Sequence, residues 1–268
     1  MTGDHHPRVS SREANPLSDD VPQYASKSTV EEIRQRFDAD VERFSNLDTG
    51  QSATIDAPLV LELIAGAAAA VSPEATRLLD IGCGAGNYSL KLAERLPLNE
   101  ITLVDLSQPM LARAEERICE QGPIKTSDPI TTRAIQADIR AIELPAEHFD
   151  IIVAAAVLHH LRGPEEWRAV FEKLYASLRP GGALWIADLV EHTSPRVQSL
   201  MWQRYGDYLT ALGGAEYRDK VYAYVEHEDT PRPLMFQLDL LRAVGFGTLE
   251  ILHKNSVFAA FGAMKGRR

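Results

Sequence analysis

Residues 77 to 264 predict an α/β fold, a doubly wound and mostly parallel sheet. Three observations predict it. Short apolar runs alternate with helical patterns of about 10 to 15 residues, the signature of βαβ units. A glycine-rich turn, Gly82-Cys83-Gly84-Ala85-Gly86, joins the first apolar run to the first helical one. The last two apolar runs follow closely on Gly245-Phe246-Gly247, which predicts an antiparallel pair at the sheet edge.

Two helices precede the sheet. Ser28-Thr29-Val30-Glu31 resembles a capping box, and Ile33, Phe37, Val41 and Phe44 then recur at helical spacing, so a helix is expected over 29–45. Asp56-Ala57-Pro58 predicts a second start, with Asp56 as N-cap and Pro58 in the first turn, running to Val71 before Ser72-Pro73. Strands are then expected over 77–81, 101–105, 131–136, 149–155 and 183–188, with helices over 87–96, 109–121 and 164–178. Residues 192–229 break the rhythm. They are polar and aromatic, with Trp202, Tyr205, Tyr208, Tyr217, Tyr222 and Tyr224, and predict two or more inserted helices. A helix from Thr230-Pro231 to Arg242 and strands over 248–253 and 257–264 complete seven strands. The organisation expected is a disordered tail over 1–26 and one domain over 27–268, with N-terminal helices over 29–71 and a helical insertion over 192–229 capping the site.

The chain has 268 residues, 45% hydrophobic and 25% charged, an ordinary globular balance. A net charge of −10 argues against a broad electrostatic grip on nucleic acid. The basic cluster Lys265-Gly266-Arg267-Arg268 reads as a solvated tail. No apolar run is long enough to span a bilayer, and no secretory core stands at the N-terminus. Cys83 and Cys119 read as reduced structural thiols, which suits the cytoplasm. Neither they nor His5-His6, a pair without further ligands, predicts a metal centre.

The chemistry gathers at the turn. Its spacing is GxGxG rather than the dinucleotide GxGxxG, and Asp80 stands two positions before the first glycine. A carboxylate there repels a pyrophosphate but attracts a sulfonium with an amino group. Gly86 is followed by Asn87-Tyr88 rather than a phosphate-loop lysine. Asp105, about 20 positions on, suits both ribose hydroxyls. Asp138 suits an adenine amino group, with Met110 and Ile139 placed to sandwich the ring.

These residues together resemble the class I S-adenosylmethionine-dependent methyltransferases, a Rossmann-like family. Leu78-Leu79-Asp80-Ile81-Gly82-Cys83-Gly84-Ala85-Gly86 resembles the first motif, Val104-Asp105-Leu106-Ser107 the second and Gln136-Ala137-Asp138 the adenine-binding one. Phe149-Asp150-Ile151-Ile152 with Leu158-His159-His160-Leu161, and Leu178-Arg179-Pro180-Gly181-Gly182, resemble the fourth-strand region and the turn before the fifth strand. The resemblance implies S-adenosylmethionine as cofactor. Asp80, Gly82, Gly84 and Gly86 would surround its methionine part, Asp105 its ribose, and Asp138 and Ile139 its adenine.

Methyl transfer is an in-line displacement in which positioning carries most of the catalysis. His159 is the candidate proton acceptor and His160 a cofactor-pocket residue; the resemblance also allows both to be packing residues. The acceptor expected is a small molecule held by the insertion, with His227, Glu228, Asp229 and Arg232 either binding it or capping a helix. No membrane or direct nucleic-acid partner is expected, and a homodimer is left open. A narrower resemblance, through Arg36-Phe37-Asp38 and Ala259-Ala260-Phe261-Gly262-Ala263-Met264-Lys265, points to carboxy-S-adenosylmethionine synthases of tRNA wobble-uridine modification, whose insertion carries a basic residue for the extra carboxylate. Here that position falls near Tyr222, with Lys220 close by. Ubiquinone- and menaquinone-type methyltransferases share much of the pattern. A non-catalytic binding protein and an NAD-dependent dehydrogenase are the competing classes, the latter disfavoured by the glycine spacing and Asp80.

Overall fold

A computed structural model describes residues 27–46, 51–121 and 129–267. Among them, seven strands form one sheet: β1 (Arg77–Ile81), β2 (Glu100–Asp105), β3 (Thr131–Gln136), β4 (Phe149–Ala155), β5 (Leu178–Leu189), β6 (Thr248–Asn255) and β7 (Phe258–Met264). Their order is β3-β2-β1-β4-β5-β7-β6. The first five are parallel. β7 is antiparallel to both neighbours and lies between β5 and β6.

The central strands are apolar on both faces because helices cover both. Leu78 of β1 pairs with Ile101 on one side and Ile151 on the other, and all three are fully buried. On one face pack α3 (Ala57–Val71), α4 (Asn87–Ala93) and α5 (Gln108–Gln121), through residues such as Ile64, Leu92 and Leu111. On the other pack α6 (Pro164–Ser177) and α8 (Leu234–Val244), through Trp167, Phe171 and Leu241. Strand order reverses between β1 and β4, so a crevice opens at their carboxyl ends.

Over that crevice lie α1 (Val30–Ala39), α2 (Val41–Ser45) and the long α7 (Pro195–Glu228). A third small core joins α7 to the sheet through Ile55, Tyr205, Leu209 and Val257. The chain just before α1 is tied to the end of α7. Ser28 N donates to His227 O at 3.1 Å, and Lys27 Nζ reaches the carbonyl of Asp229 at 2.6 Å.

Local chemistry moves several expected boundaries. The capping box is Thr29 with Glu32, one residue later than Ser28 with Glu31. The helix expected over 29–45 breaks at Asp40 into α1 and α2. Asp56 starts α3 in the left-handed region, but its side chain does not cap the helix; it accepts from Asn255 Nδ2 at 2.7 Å and pairs with His253 Nε2 at 2.9 Å. The insertion is two helical segments joined at Gly214, whose φ of 85° and ψ of 177° interrupt α7. The helix expected from Thr230 starts only at Leu234, because Pro231 and Pro233 hold the preceding chain extended.

The C-terminal basic cluster is not wholly solvated. Lys265 is buried, donates to the carbonyls of Tyr175 and Leu178 at 2.9 and 2.7 Å, and lies over the Tyr175 ring. The tail over 1–26, with His5-His6, lies outside the described residues. No described helix is long and apolar enough to cross a membrane.

The β5–β7 pairing depends on a missing side chain. Trp185 faces Gly262, and a Cβ there would lie 2.2 Å from Trp185 Cε3. Gly262→Ala is therefore expected to destabilise the fold by about 1–3 kcal/mol through overpacking, read as a lower urea midpoint at unchanged slope. An unchanged midpoint would show that the ring moves aside freely.

Candidate active site

The glycine turn is shaped by what surrounds it. Gly82 has a φ of 62°, and a Cβ on it would lie 2.6 Å from Val157 Cγ2. No larger residue fits between the end of β1 and the chain after β4. Gly82 N and Cys83 N both donate to Val104 O, at 2.7 and 3.2 Å. Gly84 N donates to Asp105 Oδ2 at 2.9 Å, so the turn is pinned to the end of β2. A Cβ on Gly84 would meet nothing within 4 Å, and this residue lines the cavity. The turn thus offers bare backbone to a ligand.

Carboxylates end three of the parallel strands or the chain just after them. Asp80 is buried and accepts from Ser89 Oγ at 2.7 Å. Burial pushes its carboxyl up to about 7, with the Asp105 charge adding to the rise. Burial also raises Asp105, whose Oδ1 accepts from Ser107 N at 2.8 Å. Asp138 has a partner that the sequence reading missed. Arg140 Nε lies 3.0 Å from both its oxygens, and Arg140 Nη2 lies 2.6 Å from Oδ2. Burial alone would raise Asp138, but the hydrogen bonds from Arg140 outweigh it and hold the carboxyl below its ordinary value. Met110 and Ile139 are buried and line the same cavity, which has a volume of about 580 Å³.

His159 and His160 belong to a short 3₁₀ turn after β4. His159 Nδ1 is bonded to Asp188 Oδ1, while Asp188 Oδ2 accepts from Leu158 N at 2.9 Å and His159 N at 3.2 Å. His159 Nε2 lies 3.6 Å from Asp229 Oδ1, and His160 Nδ1 lies 3.4 Å from the same oxygen. Burial works to lower His159, but the Asp188 and Asp229 carboxylates prevail and hold it at about 9. Burial, with the charges of His159 and Arg36, drives His160 well below its ordinary value. Among the described residues, Asp229 Oδ1 has no hydrogen-bond partner, and the His160 ring faces the backbone of Glu228.

Asp188 was not singled out from the sequence. The available signal was its place: like Asp80 and Asp105, it lies near the carboxyl end of a buried strand. Arg36 has no such signal for its contacts. Reaching across from α1, it pairs with Glu228 at 2.8 Å and lies over the Tyr224 ring.

The insertion divides its aromatics. Tyr205, Tyr217 and Tyr224 line the cavity, with Lys220. Trp202 and Tyr222 instead stack at 5.1 Å, and Tyr208 donates to Ser52 O at 2.7 Å. Of the cluster read from the sequence, Asp229 faces the cavity, Glu228 holds Arg36, and Arg232 donates to Arg162 O at 2.8 Å.

Comparison with known proteins bears on the family and the fold. The methyltransferase domain family model matches residues 78–182. A carboxy-S-adenosyl-L-methionine synthase of Chromohalobacter salexigens is 33% identical over 190 residues, covering 69% of this chain and 67% of that one. An uncharacterized methyltransferase of Mycobacterium tuberculosis is 35% identical over 125 residues, or 47% of this chain; the alignment spans 55% of that relative's length. Among solved structures, the [4+2]-cyclase SpnF superposes with a TM-score of 0.62 at 17% identity, over 90% of this chain and 98% of that one. The DhpI complex with SAH gives 0.58 at 16%, over 89% and 98%. At such identities these two speak for the fold alone.

A glycine turn open above Gly84, buried carboxylates at Asp80 and Asp105, and Met110 and Ile139 lining the same cavity form the crevice of an enzyme of the doubly wound α/β class. The chain belongs to the class I S-adenosylmethionine-dependent methyltransferase family, and S-adenosylmethionine is its cofactor.

Asp80 generates a pH prediction. A carboxylate attracts the cationic end of the cofactor, and the neutral acid does not, so binding releases a proton below about pH 7. Affinity is expected to rise by up to about tenfold per unit from pH 5 toward 7 and then level off. Asp80→Asn should flatten the curve. Calorimetry across that range measures it, and a flat wild-type curve would remove Asp80 from the contact. Separately, Asp105→Ala should weaken cofactor binding about tenfold or more, by loss of the ribose acceptor and of the Gly84 anchor.

Proposed function

We propose that the protein transfers the cofactor's methyl group to a small molecule seated beneath α1 and α7. The observation carrying this reading is a single cavity that runs from the glycine turn to Tyr205, Tyr217 and Tyr224 of the insertion. Its 580 Å³ is within the roughly 300–1,000 Å³ of small-molecule sites. Its roof of two helical elements favours a compact acceptor over a nucleic acid or a folded protein.

The cofactor supplies the methyl on a cationic sulfur, a good leaving group. The chain's residues orient the two reactants and exclude water. Asp80 and Asp105 anchor the donor. The three tyrosines and His159 shape the acceptor side, and Asp188 holds the His159 ring by Nδ1. His159→Ala is expected to lower kcat about 10²-fold while leaving the S-adenosylmethionine Kd within about twofold. A matching loss in Kd would place His159 with the donor instead.

One observation favours a second reading. Lys220 puts an ammonium on the cavity wall, and a relative 33% identical carries the name carboxy-S-adenosyl-L-methionine synthase. In that reading Lys220 would pair with the added carboxylate. Mass spectrometry of the small molecules released on denaturing the purified protein separates the two. Methyl transfer predicts plain S-adenosylmethionine or its demethylated product; the second reading predicts the carboxylated form.

A further inference from the structure

The buried cluster of His159, His160 and Asp229 has a geometry that the cofactor reading does not use. The three side chains come from two segments far apart in sequence. Thr230 N, donating to His159 O at 2.7 Å, ties those segments together at this point. One donor atom from each residue lies within 4.8 Å of the others. His160 Nδ1 is 3.4 Å and His159 Nε2 is 3.6 Å from Asp229 Oδ1. Ligand bonds of about 2.0–2.2 Å place neighbouring donors of a tetrahedral ion roughly 3.3–3.6 Å apart. The two separations from Asp229 Oδ1 match that spacing, and the imidazole nitrogens lie within 4.8 Å of each other, close enough for a small adjustment to bring all three onto one ion.

Three further features point the same way. Asp229 is buried, and its Oδ1 has no hydrogen-bond partner among the described residues. Buried polar atoms are normally satisfied, so a missing partner is implied. Asp188 holds His159 by Nδ1, which leaves Nε2 as the atom turned toward Asp229. A carboxylate behind a histidine in this way is the usual support of a metal-bound imidazole. The charge also fits. Arg36 pairs with Glu228, which leaves Asp188 and Asp229 as two buried carboxylates beside the imidazoles. These two carboxylates give a cation negative charge to sit against, with Arg36 and Arg162 opposing it.

We propose that His159, His160 and Asp229 form a binding site for a divalent first-row transition ion, such as zinc or iron(II), at the acceptor end of the cavity. Two imidazoles and one carboxylate leave coordination positions open, and His159, His160 and Asp229 all line the cavity. An acceptor oxygen or nitrogen would take one of them. That use rests on the methyl-transfer reading; the site itself rests only on the ligand geometry. The sequence reading expected no metal, because nothing in the spacing links residue 229 to the His-His pair.

The test is titration of the full-length, chelator-treated protein with Co²⁺ alone, without cofactor or acceptor, followed by visible absorption. The expected result is one saturable equivalent per chain with a band of low-symmetry nitrogen and oxygen coordination, displaced by Zn²⁺. His160→Ala and Asp229→Asn should each weaken binding at least about tenfold, and Asp188→Asn should do so while leaving all three ligands present. Circular dichroism and a cooperative urea transition check that each variant is folded. Absence of a saturable equivalent would overturn the proposal and leave His159 in an ion triad with Asp188 and Asp229. An equivalent that survives in His160→Ala and Asp229→Asn would also overturn it, placing the ion elsewhere, as at His5-His6. Failure here leaves the methyl-transfer reading standing, since cofactor binding and product analysis test that separately.

Discussion

The hydrogen bond from Gly84 N to the Asp105 carboxylate is the contact on which the site's order depends. It joins the bare backbone of Gly84 to the end of a neighbouring buried strand. Val104 O holds the same turn one residue earlier. Once β1 and β2 pair in register, the backbone of the turn, the Asp80 carboxylate and the Asp105 carboxylate acquire fixed separations without further interactions. The donor half of the cavity is therefore as rigid as the sheet.

The acceptor half is built differently. Its walls come from α1 and α7, which lie outside the sheet and are held by ion pairs and aromatic contacts. Arg36 crosses from α1 to Glu228 and Tyr224, and Tyr205 and Tyr208 reach back to the carbonyls of Ala53 and Ser52. Buried charges converge at this end as well as at the glycine turn. His159 near 9 here and Asp80 near 7 in the donor half are two outcomes of burial. Where carboxylates flank an imidazole, they override desolvation; where a carboxylate has only the hydroxyl and backbone of one serine, desolvation prevails.

The contrast explains what was legible in the sequence. The seven strands and the gathering of Asp80, Gly82, Gly84 and Asp105 on one cavity could be read because placement follows from local spacing: a short apolar run, a turn, and a carboxylate at a strand end; Gly86, expected with them, packs against Ala114 instead. Gly214 was not read as a break, since nothing in a glycine pair distinguishes an interrupted helix from a tolerated one. Arg140 was missed because its grip on Asp138 depends on a turn conformation. Asp188 and Asp229 come beside His159 only through the register of β5 with β4 and the return of α7. Such pairings are tertiary facts, and one chain read alone carries little trace of them.

The position of β7 has a consequence for how this chain is made. β7 is among the last segments in sequence, yet it occupies an interior place between β5 and β6. Until residues 258–264 leave the ribosome, residues 183–189 of β5 present an unpaired edge, and β6 has no neighbour to join. The parallel half of the sheet can form early, but the Trp185 face stays uncovered for the time needed to add the final segment. Exposed edges of this kind invite pairing with other chains. A glycine opposite Trp185 lets the late strand seat itself without rearranging a ring already packed. The residue that lets the sheet close is thus also one on which the covering of that edge depends.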